Sequence, residues 1–327
     1  MMIPAREVPS GLTADEYLKL SIQYLLMNWK KQMVIAAKKA MEGGNPMKTR
    51  QVEGLSDEEY KKLGMMLGIV ETTMEIGDQA NEVVRSAFEA MHQAASFADQ
   101  ALDEFEPIIE VKNELQNTLK SWTEQAAEAI NKAVEEILLP ALGLPTRDVP
   151  QGMSAEEYFR IANQYKTMGW TEQARDALLL ANEIDPNDVG PKALRYLRTK
   201  IPRHPVPHHA VKKNIWGHSL FLRGELDSAK ATFEELIKNY PDFEWPYGNL
   251  GAVYIQQGKI SNAKDVLSKA LDINGDYLNA WLHLARARAA VLEVREAQSC
   301  IDKAVRLDPD DQAVQSLKTL IEFLGSI

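Results

Sequence analysis

The residues that could do chemistry are few and badly placed for it. Three histidines, His204, His208 and His209, fall within a stretch of six residues and offer imidazoles of the kind that hold Zn2+ or Ni2+. They sit among prolines, with no thiol or carboxylate beside them and no helical spacing, so a solvated loop fits them better than a metal centre. Cys300, the sole cysteine, lies next to Ile301 in an apolar helical stretch, and no base can be placed to activate its thiol. The chain contains no G-x-x-x-x-G-K-[ST] loop, no G-x-G-x-x-G after a strand and no H-E-x-x-H pair. No Ser/His/Asp order is recognisable, and acidic pairs such as Glu135 and Glu136 fall where a helix faces solvent. The expectation is a chain without catalytic residues, metal or cofactor.

Composition narrows the class further. With 47 acidic against 37 basic residues the net charge is −10, which argues against a general nucleic-acid binder. A hydrophobic share of 45% and a charged share of 26% are those of a soluble folded protein. Residues 1–10 lack an apolar signal core and include Arg6 and Glu7, and no window is apolar enough to span a membrane. A single thiol fits a reducing compartment, so a cytoplasmic location is expected.

The elements come next. From Ala155 to Asp188, bulky residues recur at Tyr158, Ile161 and Tyr165, small ones at Ala162, Gly169, Ala174 and Ala181, and Pro186 closes the unit. The spacing returns from Ala210 (Trp216, Gly217, Leu220, Gly224, Ala229, Phe233, Pro241), from Glu244 (Tyr247, Leu250, Gly251, Gly258, Ala263, Leu267) and from Leu278 (Trp281, Leu284, Ala285, Ala297, Ile301, Pro309). This pattern resembles the 34-residue tetratricopeptide repeat (TPR). The resemblance implies an all-α superhelix of helical hairpins, because one hairpin cannot bury its own apolar face and must stack on the next. Units are expected near 155–188, 210–243, 244–277 and 278–311. Residues 312–327, apolar at Val314, Leu317, Leu320, Ile321 and Leu324, read as a capping helix.

A second copy lies at the N-terminus. Residues 6–35 repeat at 147–176 with twelve identities at a constant offset of 141, among them Tyr17/Tyr158, Tyr24/Tyr165 and Trp29/Trp170. GLTADEY at 11–17, GLSDEEY at 54–60 and GMSAEEY at 152–158 each read as a capping box, with Glu16, Glu59 and Glu157 reaching back to Thr13, Ser56 and Ser154. The domain reading is a TPR-like hairpin over 1–50, an acidic long-helix insert over 51–146, and the solenoid with its cap over 147–327.

Within the insert, apolar or small residues step by three and four from Met66 to Ala101, a coiled-coil-like heptad seam. It reads either as an intramolecular hairpin or as an arm for homodimerisation. Residues 51–140 hold 19 acidic against 6 basic residues. By contrast, 190–213 has seven basic residues, including Lys192, Arg195, Arg198, Lys200 and Arg203, and no acidic one. That basic segment reads as a dock for the insert, as a lure for an acidic partner, or as a solvated linker.

The resemblance also implies a binding surface. In TPR stacks the first helix of each unit lines a concave face, which here comprises Phe159, Asn163, Lys166, Asn214, His218, Phe221, Leu222, Trp245, Ile255, Asn279, Leu282 and Arg286. Asn249 alone matches the carboxylate clamp of some TPR co-chaperones; Asn214, His218, Asn279 and His283 replace its other members, which argues against that ligand class. The leading expectation is a non-catalytic scaffold that binds a peptide or helix of another protein in the groove. The alternatives are a structural homo-oligomer assembled through the insert, and a small-ligand carrier or enzyme with a pocket beneath it.

Overall fold

The structure, a computed structural model, describes residues 3–41 and 148–326; the insert, its heptad seam and its charge lie outside the described residues. What is described is all helical and belongs to one compact unit. Two helices precede the insert, α1 (Ala14–Leu26) and α2 (Lys30–Met41). Ten follow it: α3 (Ala155–Thr167), α4 (Thr171–Ile184), α5 (Val189–Lys200), α6 (His208–Leu222), α7 (Leu226–Asn239), α8 (Glu244–Gln256), α9 (Ile260–Ile273), α10 (Leu278–Ala290), α11 (Val294–Leu307) and α12 (Gln312–Ser326).

The start of α1 and α3 follows from their capping boxes. The Glu16 amide donates to Thr13 Oγ1 at 3.2 Å while the Glu16 carboxylate accepts from the Thr13 amide at 2.8 Å. Ser154 and Glu157 repeat the exchange at 3.3 and 2.8 Å. Each box satisfies backbone groups that a helix start leaves orphaned.

Five hairpins, α1–α2, α3–α4, α6–α7, α8–α9 and α10–α11, share one joint. A residue in the left-handed region stands in each: Asn28, Gly169, Gly224, Gly258 and Leu292. The next amide reaches back five residues, as from Trp29 to Tyr24 O and from Trp170 to Tyr165 O, both at 2.8 Å. This is the Schellman termination, which glycine accepts freely and asparagine with little strain. Leu292 does not share that freedom, and its side chain is exposed.

Small residues set how closely the paired helices approach. A Cβ on Gly251 would stand 2.6 Å from Leu267, so α8 can meet α9 only because that position is bare. From α6 onward each helix packs on the next, and α8 and α10, enclosed between neighbours, are buried almost all round. The expected cap is present: Val314, Leu317, Leu320, Ile321 and Leu324 of α12 are all buried.

Two arrangements go beyond stacked hairpins. Helix α5 packs on α3 and α4 and also reaches α10. Helix α1 packs on α10 and α12, so the N-terminal hairpin, expected as a separate domain, joins the array. The wall that the repeat pattern leaves bare at α10 is therefore covered by parts of the same chain.

Candidate interaction groove

One cluster forms where α3, α5 and α8 converge. The spacing of α3 puts Phe159, Asn163 and Lys166 on one face, three and four residues apart. Helix α5 brings Tyr196 against that face: its ring meets Phe159 edge-on at 5.6 Å, and its hydroxyl donates to Asn163 Oδ1 at 2.6 Å. The Lys166 ammonium lies 5.5 Å from the Tyr196 ring centre and 6.0 Å from that of Trp245 on α8. Cations over aromatic faces at such distances are attracted by the ring quadrupole. Burial pulls the Lys166 ammonium down to about 8, with Lys200 adding to the depression and Asp311 opposing it. Burial pushes the Tyr196 hydroxyl up to about 12.

A second cluster lies between α6 and α10. His218 is accessible, as a side chain in a concave wall is, yet enclosure by its neighbours lowers its pKa. Its ring is 6.0 Å from that of Phe221, which is half-buried, and Leu222 beside it is exposed. His283 is pulled down to about 3, first by burial and then by the charges of Arg286 and His218. Arg286, itself depressed by burial, donates to Leu26 O of the N-terminal hairpin at 3.1 Å and stands 3.4 Å from His283 Nδ1. Expected as a free concave residue, Arg286 is occupied by the chain's own backbone.

Other expected wall residues are withdrawn from the surface. Ile255 is 1% exposed and packs in the core. Asn214 is buried and accepts from the Asn249 amide at 2.9 Å, so this amide pair closes on itself. Leu282 is buried and Trp245 nearly so, although the Trp245 face still serves Lys166. Ile255, Trp245 and Leu282 face inward because α8 and α10 have helices on every side, which a repeat pattern read one hairpin at a time does not reveal. Asn279 remains exposed.

The basic segment is neither free nor merely solvated. Arg195 pairs with Asp310 at 2.6 Å and Asp308 at 3.4 Å, Arg198 with Asp276 at 3.5 Å, Lys200 with Asp311, and Lys192 with Asp188 at 2.8 Å. Arg203 is held through its backbone amide, which donates to Glu244 at 2.9 Å. Glu244 is fully buried and also accepts from Asn274 at 2.8 Å; burial raises its carboxyl pKa. The partners of Arg195 and Lys200 lie 111 to 115 residues on, and that of Arg198 lies in an earlier loop between repeats, so local sequence could not disclose them.

The histidine cluster also changes character. His208 and His209 open α6 instead of lying in a loop: His208 Nδ1 is 3.0 Å from Gly169 O and its ring packs near Trp170, while His209 Nε2 meets the Tyr240 hydroxyl at 2.6 Å. Among the described residues no group of His, Cys, Asp and Glu is placed to hold a metal ion. Cys300 is buried, and burial raises its pKa. No described helix is long and apolar enough to cross a membrane. Tyr196 is the groove residue that sequence reasoning missed, since α5 falls outside the repeat period.

Models of the tetratricopeptide repeat match residues 155–188, 216–242 and 254–321. Human protein O-mannosyl-transferase TMTC3 is 23% identical over 194 residues, 59% of this chain and 20% of that protein. The uncharacterized protein ycf37 of Pyropia yezoensis is 32% identical over 75 residues, 23% of this chain and 42% of that protein. The chain thus spans well under two thirds of either relative. Among solved structures, the first TPR of Spaghetti (RPAP3), bound to an HSP90 peptide, aligns with a TM-score of 0.35 and 19% identity, covering 38% of this chain and 99% of that one. The three matches fall on α3–α4, on α6–α7 and from the end of α8 into α12, stretches that hold four of the five hairpin joints, and the chain is a tetratricopeptide-repeat protein.

Proposed function

We propose that this chain is a non-catalytic scaffold that binds a peptide of another protein in the part of the groove walled by α3, α5 and α8. The carrying observation is that Lys166, a half-buried cation on α3, lies against the rings of Tyr196 from α5 and Trp245 from α8, and that Phe159 meets the Tyr196 ring edge-on. Aromatic side chains beside a partly desolvated cation are the composition in which interface energy concentrates. The α10 wall is occupied by the N-terminal hairpin, so the α3–α5–α8 stretch, with His218 and Phe221 beyond it, is the accessible part of the concave side. A cytoplasmic setting fits one buried thiol.

The test is selection of a displayed random-peptide library on the full chain, followed by affinity measurement on the winners. Phe159→Ala is expected to weaken a selected peptide by about tenfold or more while leaving the helical spectrum unchanged. Peptides that bind the Phe159→Ala chain equally well would place the binding surface elsewhere.

A further inference from the structure

The connection between α5 and α6 lies outside the repeat period and is stiffened by its own sequence. Residues 202–207 read PRHPVP, so three of the six are prolines. Each proline fixes its own φ at about −65°. His204 and Val206 each precede a proline and are driven to extended backbone. Pro207 has φ −56° and ψ 136°, and Ile201 before the run has φ −104° and ψ 144°. The chain bends at Arg203 and His204 and runs from Pro205 to Pro207 without a further bend. Among the described residues no hydrogen bond takes an amide or carbonyl of His204, Pro205 or Val206. An unpaired, solvated backbone of this kind is that of polyproline II. The molecule grips the stretch at both ends. Ile201 and Pro202 are buried, and Pro202 O accepts from Arg175 Nη2 at 2.6 Å. The Arg203 amide donates to the buried Glu244 at 2.9 Å, and Pro207 O accepts from the Ala210 amide at 2.9 Å. Between these anchors the side chains of Arg203, His204, Pro205 and Pro207 are exposed and that of Val206 is half-buried.

We propose that residues 203–207 dock into a partner domain whose groove is lined by aromatic rings and rimmed by carboxylates. Exposed prolines on a preformed polyproline II backbone are what aromatic grooves recognise, because the rings pack flat and little freedom is left to lose. Pinning at both ends removes that freedom before the partner arrives. The rim follows from charge. Of the seven basic residues in 190–213, five pair with acids of the same chain: Lys192, Arg195, Arg198, Lys200 and Lys213. Arg203 and Lys212, which flank the proline stretch, are exposed and form no ion pair among the described residues. They are the two cations left for a partner, and a carboxylate beside the aromatic groove answers Arg203. In the groove of α3, α5 and α8 the chain is the receptor; here it is the ligand, so the two readings stand apart.

The experiment presents the full chain to a panel of purified proline-binding domains of the SH3, WW and EVH1 types, with binding read by fluorescence anisotropy of the labelled domain. At least one domain is expected to bind. Pro205→Ala should weaken it by about tenfold with the helical spectrum unchanged, since Pro205 is exposed. Arg203→Glu should weaken it by a similar factor, because it sets a carboxylate against the acidic rim. Phe159→Ala should leave the affinity unchanged. Binding by no member of the panel overturns the proposal, as does binding that Pro205→Ala leaves intact. Binding that needs Pro205 but tolerates Arg203→Glu overturns the acidic rim. Loss with Phe159→Ala but not with Pro205→Ala places the domain in the groove, overturns docking on 203–207 and leaves the groove reading standing.

Discussion

The two copies of the duplicated hairpin, α1–α2 and α3–α4, have the same interior and opposite exteriors. Inside, they match closely: the first tyrosine bond is equivalent in the two copies and the second is shifted by two residues. The hydroxyls of Tyr17 and Tyr158 donate to Pro9 O and Pro150 O, and those of Tyr24 and Tyr165 donate to Ala5 O and Asp148 O. Tyr24 stands 5.9 Å from Trp29, as Tyr165 does from Trp170. Outside, equivalent positions diverge. Leu18, Ile22 and Leu26 are buried on the helix that packs on α10 and α12, whereas Phe159 is half-buried and Asn163 and Thr167 are exposed at the same three places. One copy has an apolar face and uses it to dock on its own array. The other has an aromatic and polar face and keeps much of it open. Local sequence sets the hairpin, and the residues on one helix face set whether it binds within the molecule or beyond it.

The largest effect should come from breaking the docked copy. Trp29 is nearly buried and its Nε1 donates to Gln256 O at 2.6 Å. Trp29→Ala should cost about 3–5 kcal/mol and accelerate amide exchange in α1 and α2 while leaving α3–α4 protected. Equal acceleration in both copies would mean that the hairpins do not stand on separate contacts.

Next comes the joint. Gly169 has φ +80° and its Cβ would lie 3.3 Å from Ile215, so Gly169→Ala should cost about 1–2 kcal/mol. Asn28→Gly at the equivalent place should be near neutral, since asparagine already tolerates that conformation. Leu292→Gly should stabilise the chain by about 1 kcal/mol by relieving the one bulky residue held there among the described joints. Thermal unfolding ranks all three.

Capping should not distinguish the copies. Thr13→Ala and Ser154→Ala remove the same bonds, so each should lower stability by about 1 kcal/mol. A large difference would show that one box carries tertiary load.

The most selective effect is acid. His283, pulled down to about 3 from 6.5 by burial first, sits beside the Arg286 that holds Leu26. Between those values the unfolded chain binds the proton and the folded chain does not. The His283 contribution is therefore fully present above pH 6.5 and is lost as pH falls toward 3. Denaturant titrations at pH 7 and pH 4.5 should show α1 loosening before α3, and His283→Asn should flatten that slope.

Most of the hairpin architecture was legible because its causes are local. Capping boxes, left-handed joint residues and small residues at helix crossings act within one unit, and α12 disclosed its buried face by period alone. The groove was legible only in outline. Lys166 and Phe159 could be placed from the repeat register, but three residues were assigned to an open wall and are not there: Arg286 is held by Leu26 of α1, Asn214 by Asn249 of α8, and Ile255 packs in the core. The Leu26 carbonyl arrives from a distant part of the chain. The acidic partners of Arg195, Arg198 and Lys200 were hidden for the same reason, and Tyr196 was missed because α5 interrupts the period.

Photo-crosslinking tests the central claim most directly. A benzophenone amino acid is placed in the full chain at 159 or at 256 and activated in cells. The probe at 159 should capture another polypeptide, and the probe at 256 should capture residues around Trp29 of the same chain, where Gln256 O accepts the indole proton. Capture of only this chain from 159, or of a foreign protein from 256 with Trp29 left free, would contradict the division between a docked face and an open one.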